Sequence, residues 1–464
     1  MNCSKKMHGT VNKFITLILA GCTIGWIVGC SAPAKKEQVT YNADIAPLLY
    51  KNCSPCHHPG SAGPFNLLAY EDAVRHAQTI VLSVKTRFMP PWPADPEYSH
   101  FREEKRLTDE EIKTIETWVT SGMEEGDPSL RTNPPIYPNG SSIGKPDYSV
   151  TLPTRFLLPG DNKDRFMMMK VPVELDKDTF VRVIEIIPGN KKLVHHINGH
   201  LIQYDAGRKQ KRQAGVPAVD TEVHDKSTAY QLLDLPNDDG SYPLLTPSVT
   251  NYLPGVEPSV YPNEIGGYRI KKNSALLLDN IHYGPTPIDT SDLTTFNFFF
   301  MPSAPKRPTR EFILGTSGIS PIVPPLVIAP GKVQSFTTRY VVPETISLLT
   351  INPHMHLLGV SFKAYGLSPA GDTIRLISIP KWDFRWQYFY TFEKTIVLQA
   401  GTTLIVEGVF DNTENNPLNP FHPPRTISER EGSMRTTDEM FQLICTYIPY
   451  QSGDETISLT IENK

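Results

Sequence analysis

Two histidines stand one residue apart in the stretch 351–359, Ile-Asn-Pro-His-Met-His-Leu-Leu-Gly. Alternate side chains of an extended strand share a face, so His354 and His356 can offer two imidazole nitrogens to one metal ion. The chain has only 13 histidines in 464 residues, and others also fall at suggestive places: the pair His195-His196, and His282 in His-Tyr-Gly. Adjacent histidines on a regular strand point to opposite faces, so His195 and His196 can share a metal only at a strand end or bulge. A third ligand from His282 would close such a site, while His200, which returns to the face of His196, competes on geometry. Met440, at the end of Thr437-Asp-Glu-Met, is a candidate thioether ligand. Far upstream, Cys53-Ser-Pro-Cys56-His57 has the spacing by which two thiolates add across haem vinyl groups while the histidine takes one face of the iron. These residue types together point to redox chemistry.

The elements that must position them follow from pattern. Hydrophobic content of 39% and charged content of 20% suit a folded protein, and the net charge of −4 leaves no basic field for nucleic acid. A chain of 464 residues exceeds one ordinary core and predicts several domains. Residues 1–30 read as a lipoprotein signal peptide: Lys5, Lys6 and Lys13 precede an apolar run from Phe14 to Gly29 too short to span a membrane. Ile27-Val-Gly-Cys30 resembles a bacterial lipobox, with Cys30 the acylated residue; Cys22 is the alternative, but cleavage there would leave an apolar mature end. Export to the cell envelope follows, with an acyl anchor in the membrane. With Cys3 and Cys22 in the signal, Cys30 acylated and Cys53 and Cys56 committed to haem, Cys445 is left alone, a small core hydrophobe with no disulfide partner.

Residues 31–128 predict a small helical domain, with a first helix over Asp44–Tyr50 and a last one capped by Thr108 whose apolar stripe is Ile112, Ile115, Trp118 and Val119. The last helix resembles the closing helix of class I cytochromes c. Met89, in Arg87-Phe-Met-Pro-Pro-Trp-Pro, is the second axial candidate; His58, His76, His100 and Met123 are its rivals. Residues 129–146 form a linker, its Pro/Gly/Asn/Ser-rich part running from Arg131 to Asp147. Beyond it, strand-length runs rich in β-branched residues begin at Val181, Ala275, Ser347 and Thr403, and residues 206–265 read as long inserted loops.

Taken in order, His-His, His-Tyr-Gly, His-x-His-x-x-Gly and Thr-x-Asp-Glu-Met resemble the copper type II, ascorbate-dependent monooxygenases, the family of dopamine β-monooxygenase and the peptide-amidating hydroxylase. The segment Gly-Val-Phe-Asp-Asn-Thr-Glu-Asn-Asn-Pro from Gly408 adds to the likeness. The resemblance runs from about Asp147 to the C-terminus and implies two jelly-roll domains, 147–310 and 311–464, each carrying one copper. The fold class expected is therefore multi-domain: a small all-α cytochrome c-like domain followed by two all-β jelly-roll sandwich domains. By the same resemblance His195, His196 and His282 would hold an electron-transfer copper. His354, His356 and Met440 would hold the copper where O2 meets a small organic substrate and a C–H bond is hydroxylated. A soft thioether suits Cu(I), the state that must bind O2. Electrons would come from haem c, in place of or beside ascorbate or a redox protein; the alternative is a non-oxygenating electron-transfer or copper-binding protein. Two departures put a peptide carboxylate substrate in doubt: the peptide-amidating relatives have Arg and Tyr at two positions that here are Asn352 and Ile444.

Overall fold

The computed structural model describes residues 38–460, apart from 139, 211–213, 257, 259, 263 and 431–434. The expected signal peptide, with Cys22 and Cys30, lies outside the described residues. Val39–Lys464 forms one compact unit.

Two β-sandwiches dominate it. In the first, a sheet ordered Tyr148–Thr151, Thr295–Met301, Thr179–Ile187, Tyr268–Ile270 lies against a five-stranded sheet ordered Ala218–Asp220, Arg165–Glu174, Asn273–Tyr283, Val194–Gln203, Leu244–Tyr252. Val171, Leu276 and Leu278 of one meet Ile184, Phe296 and Phe298 of the other in a shared core. In the second, a sheet ordered Arg310–Gly315, Phe441–Pro449, Ile346–Met355, Tyr390–Leu398 is partnered by one ordered Ile322–Val323, Val333–Val341, Thr403–Asp411, Gly359–Leu367, Thr373–Ile379. All the named pairings are antiparallel, as short strands with tight connections require.

The strand Ile346–Met355 is buried along its whole length. Its Ile351 and Met355 enter the core of its own sandwich. Thr350, on the alternate face, meets Tyr261, in the loop between the first sandwich's strands Leu244–Tyr252 and Tyr268–Ile270, through a 2.7 Å hydroxyl contact. Period-two alternation therefore turns Thr350, Asn352 and His354 toward the seam between the sandwiches. That is why polar residues occupy a fully buried strand.

Among the described residues the expected all-α domain is not seen. The described chain is 36% strand and 13% helical, and the helices of the N-terminal region run only from 6 to 12 residues. Their small core of Ile45, Leu49, Leu67, Ile80 and Trp118 is real, and Thr108 caps Asp109–Thr120 with a full capping box. But the segment after Lys85 leaves that core: Ala94 and Phe101 are buried in the core of the second sandwich. Phe101 bridges to Phe392, and the amides of Asp95 and Arg102 donate to the carbonyls of Ser378 and Thr391 at 2.8 and 2.7 Å. Pattern reading marked the first and last helices, not Tyr70–Arg75 and Ala77–Lys85, and could not show that the loop before the last one belongs to a sheet protein. The two sandwiches agree with a jelly roll only loosely. A second correction concerns 206–265, which contains the strand Leu244–Tyr252 as well as a short helix. Pro247 hides it from pattern reading, yet the strand lies at a sheet edge with register shifts around His200, where proline costs little.

Candidate functional site

His196 lies directly opposite His282 on adjacent strands, and the register slips between Val194 and His196. His195 is thus the extra residue of a bulge, which removes the opposite-face problem for the pair. The ring centres of His195 and His196 lie 4.6 and 5.2 Å from that of His282. Phe166, the other strand partner of His282, stacks on its ring at 4.3 Å. Gly284 is needed beside them, since a Cβ there would lie 2.5 Å from His195 Nε2.

The outer nitrogens are held. His282 Nε2 and Asp164 Oδ1 are 2.7 Å apart, and His196 Nε2 and Asn280 Oδ1 are 3.3 Å apart. The Nδ1 atoms of both rings are buried with no hydrogen-bond partner among the described residues. Two orphaned imidazole nitrogens in one cluster are unfavourable in a metal-free core and are the atoms a metal would satisfy. Burial, reinforced by His282, pushes His195 down to about 4, and burial takes His196 well below the ordinary imidazole range, so both rings are neutral and able to ligate. Ligand atoms of Asp164, His195 and His282 also all lie within 4.8 Å of one another. His200 is not part of the cluster. Its Nε2 meets Asp279 Oδ2 at 3.2 Å and its Nδ1 meets the Thr246 carbonyl at 3.0 Å. Burial alone would lower its affinity for a proton, but Asp279 more than offsets this and holds His200 up to about 9, a buried cation.

The second cluster sits at strand ends. The ladder pairs His354 with Gln442 and ends with Met355 against Phe441, so His356 and Met440 are the first residues beyond it on the two strands. His354, His356 and Met440 are only 3–7% exposed, and the two rings lie 5.0 Å apart. Here the held nitrogen is Nδ1: that of His354 meets Gln387 Oε1 at 2.5 Å, and that of His356 meets the Asp438 carbonyl at 2.9 Å. The His356 ring also hydrogen-bonds the Arg435 backbone, and Nε2 of His354 is the nitrogen that could face a metal. Burial, with His356 adding, pushes His354 down to about 3, and burial lowers His356 as well. Glu439, beside Met440, accepts from the amides of His356, Leu358 and Met440 at 3.0, 2.7 and 3.3 Å, which ties both strand ends together. Asn352 donates to the carbonyls of Gln387 and Tyr388, so this position is spent on structure.

At the Cys-x-x-Cys-His turn, the amides of Cys56 and His57 both donate to the Cys53 carbonyl, at 3.1 and 2.9 Å. Cys53 and Cys56 are unpaired thiols; burial pushes Cys53 up to about 12 and raises Cys56 too. His57 Nδ1 meets the Phe65 carbonyl at 3.0 Å, which leaves Nε2 for an iron. Thiols and imidazole therefore fit covalent haem. The Phe65 ring lies 4.8 Å from His57 and stacks on His76 at 3.8 Å. Met89 is half-buried just beyond Ala77–Lys85, next to the exposed Phe88 under Arg385. His58 stacks on Tyr137 of the linker at 4.0 Å, His100 pairs with Glu104, and Met123 turns through a positive φ. Cys445 is a buried core residue.

Sequence reading missed Asp164, Asn280, Gln387 and Phe384. The available signal was the aromatic density of Trp382-Asp-Phe-Arg-Trp-Gln-Tyr-Phe-Tyr390, unusual for a loop. No protein-family model matches the chain, and no curated protein matches it. Among solved structures, one titled "Structure of infectious bursal disease virus Gt strain" aligns over 66% of this chain and 75% of its own, at 11% identity and a TM-score of 0.16. A likeness that weak carries no weight for fold or function.

Proposed function

We propose that this protein is an exported copper- and haem-dependent monooxygenase that hydroxylates a C–H bond of a small organic substrate. The observation that carries the reading is the pairing of two imidazole clusters across one seam, one with the buried Nδ1 atoms of His196 and His282 bare and the other with His354, His356 and Met440 gathered at strand ends. When bound, copper in each cluster would supply one-electron chemistry and O2 reduction, and haem on Cys53, Cys56 and His57 would supply electrons. The chain's own residues do the rest. Asp164 and Asn280 fix the rings of His282 and His196, and Gln387 and the Asp438 carbonyl fix His354 and His356. Glu439 keeps the His356 and Met440 strand ends together, and Phe166 and Phe384 wall the seam against water. His195, His196 and His282 are the electron-transfer ligands; His354, His356 and Met440 are the ligands where substrate is oxidised. Cys30 anchors the protein in the membrane.

Metal analysis of holoprotein, followed by oxygen uptake with ascorbate and candidate organic substrates, tests the reading. Two coppers and one covalent haem with substrate-dependent oxygen consumption are expected. Protein that binds neither metal in a host with haem-attachment machinery would overturn it. The near-complete burial of His354, His356 and Met440 favours a second reading, a non-oxygenating electron carrier. Copper and haem at full content with no oxygen consumed with any donor or substrate would decide for that reading.

A further inference from the structure

Phe384 touches both clusters. Its ring centre lies 5.7 Å from that of His356 and 6.4 Å from that of His282, and it is also 6.4 Å from Phe166, which stacks on His282. The ring is held in place rather than left loose. Phe384 is 8% exposed, and its carbonyl accepts from Gln387 Nε2 at 2.9 Å while Gln387 Oε1 meets His354. On either side of it Asp383 and Arg385 form a two-point ion pair, with contacts of 2.9 and 2.6 Å. Alongside, where His196 approaches Asn352 and Gln387, the seam holds a cavity of about 10 Å³, room for roughly one water. Phe384 thus lies beside one histidine of each cluster, and the cavity near His196 is no larger than about one water.

We infer that Phe384 is the positioning residue that sets the separation of the two clusters and lies on the path of the electron passing between them, an inference that rests on the copper reading above. In that step one Cu(I) held by His195, His196 and His282 becomes Cu(II), and one Cu(II) held by His354, His356 and Met440 becomes Cu(I). No atom or proton is transferred. Tunnelling between fixed sites weakens steeply with distance and is stronger through a packed ring than through a void. A rigid ring in contact with one ligand of each site serves that step.

The test uses the full-length protein loaded with copper, after metal analysis has established its copper content. Oxidised protein is mixed anaerobically with ascorbate supplying one electron per chain beyond the one that reduces the haem, then freeze-quenched, and electron paramagnetic resonance follows how the remaining Cu(II) signal redistributes between the two sites. Phe384→Leu keeps apolar bulk without the ring, and should slow redistribution by about tenfold or more with copper content and the two individual spectra unchanged. Phe384→Tyr keeps the ring and should stay within about threefold of the wild type. Equal rates in wild type and Phe384→Leu, both fully loaded, would overturn the inference. Copper lost from Phe384→Leu but kept by Phe384→Tyr would overturn it too, assigning the ring to holding the site alone. Wild-type protein that takes up fewer than two coppers would instead refute the copper reading, a failure visible before any rate is measured.

Discussion

The two histidine clusters bring imidazoles together along one seam by different constructions. The first is built within the last pairs of a ladder: a bulge places His195 beside His196 at the start of Val194–Gln203, His282 stands next to last in Asn273–Tyr283, and the Nε2 atoms of His196 and His282 are pinned by side chains. The second is built where two strands end, with one held nitrogen on a backbone carbonyl and the third donor, Met440, outside the ladder. What differs between them is the set of side chains gathered: three imidazoles in the first, against two imidazoles and a thioether in the second, the softer set.

The sharpest way to break the comparison is to remove one donor from each side. His282→Ala and Met440→Ala should each abolish turnover and each lose copper, but from different sites, with haem absorption unchanged; metal counts and electron paramagnetic resonance on the two variants would show it. Both variants binding two coppers with wild-type spectra would refute the division of ligands. Next in size, Gly284→Ala drives a Cβ into the His195 imidazole and should cost the first site its copper while leaving the second loaded.

A weaker effect is expected of Asp164→Asn, which keeps the shape but removes the anion from His282. Copper affinity at the first site should fall by about 10-fold to 100-fold, as for other groups that orient a ligand, and Gln387→Leu should do the same at the second. Equilibrium titration with a competing chelator reads both. If Asp164→Asn weakens the second site instead, the outer partners are wrongly apportioned.

The smallest effect concerns pH. Burial pushes Glu439 up to about 8 from its usual 4.5, against the pull of its three amide donors, so the folded state binds a proton there that the unfolded chain has released. Stability attributable to this group is therefore full below 4.5 and falls as pH rises toward 8. Denaturant melts of metal-free protein at several pH values should show that slope, and Glu439→Gln should flatten it. An identical slope in the variant would mean another group is responsible.

Much of this arrangement was legible in residue order. The His-x-His spacing dictated a shared face for His354 and His356, and the alternation of strand side chains by itself demanded a bulge or strand end for His195 and His196. The Thr108 cap and the stripe of Ile115, Trp118 and Val119 likewise marked a helix, because capping and periodicity act within a few residues. What pattern could not reach was anything set by distant pairing. That Phe101 and Ala94 leave the helices to complete a β core, so that no separate helical domain exists, depends on contacts with residues about 290 positions away, such as Phe392. That Asp164 holds His282 across 118 residues, and that His200 is claimed by Asp279 rather than by a metal, was likewise decided by strand register. Local sequence determined which side chains could act together. Only the packing of one sandwich on the other decided which of them do, because the seam that buries both clusters is made by neither sandwich alone.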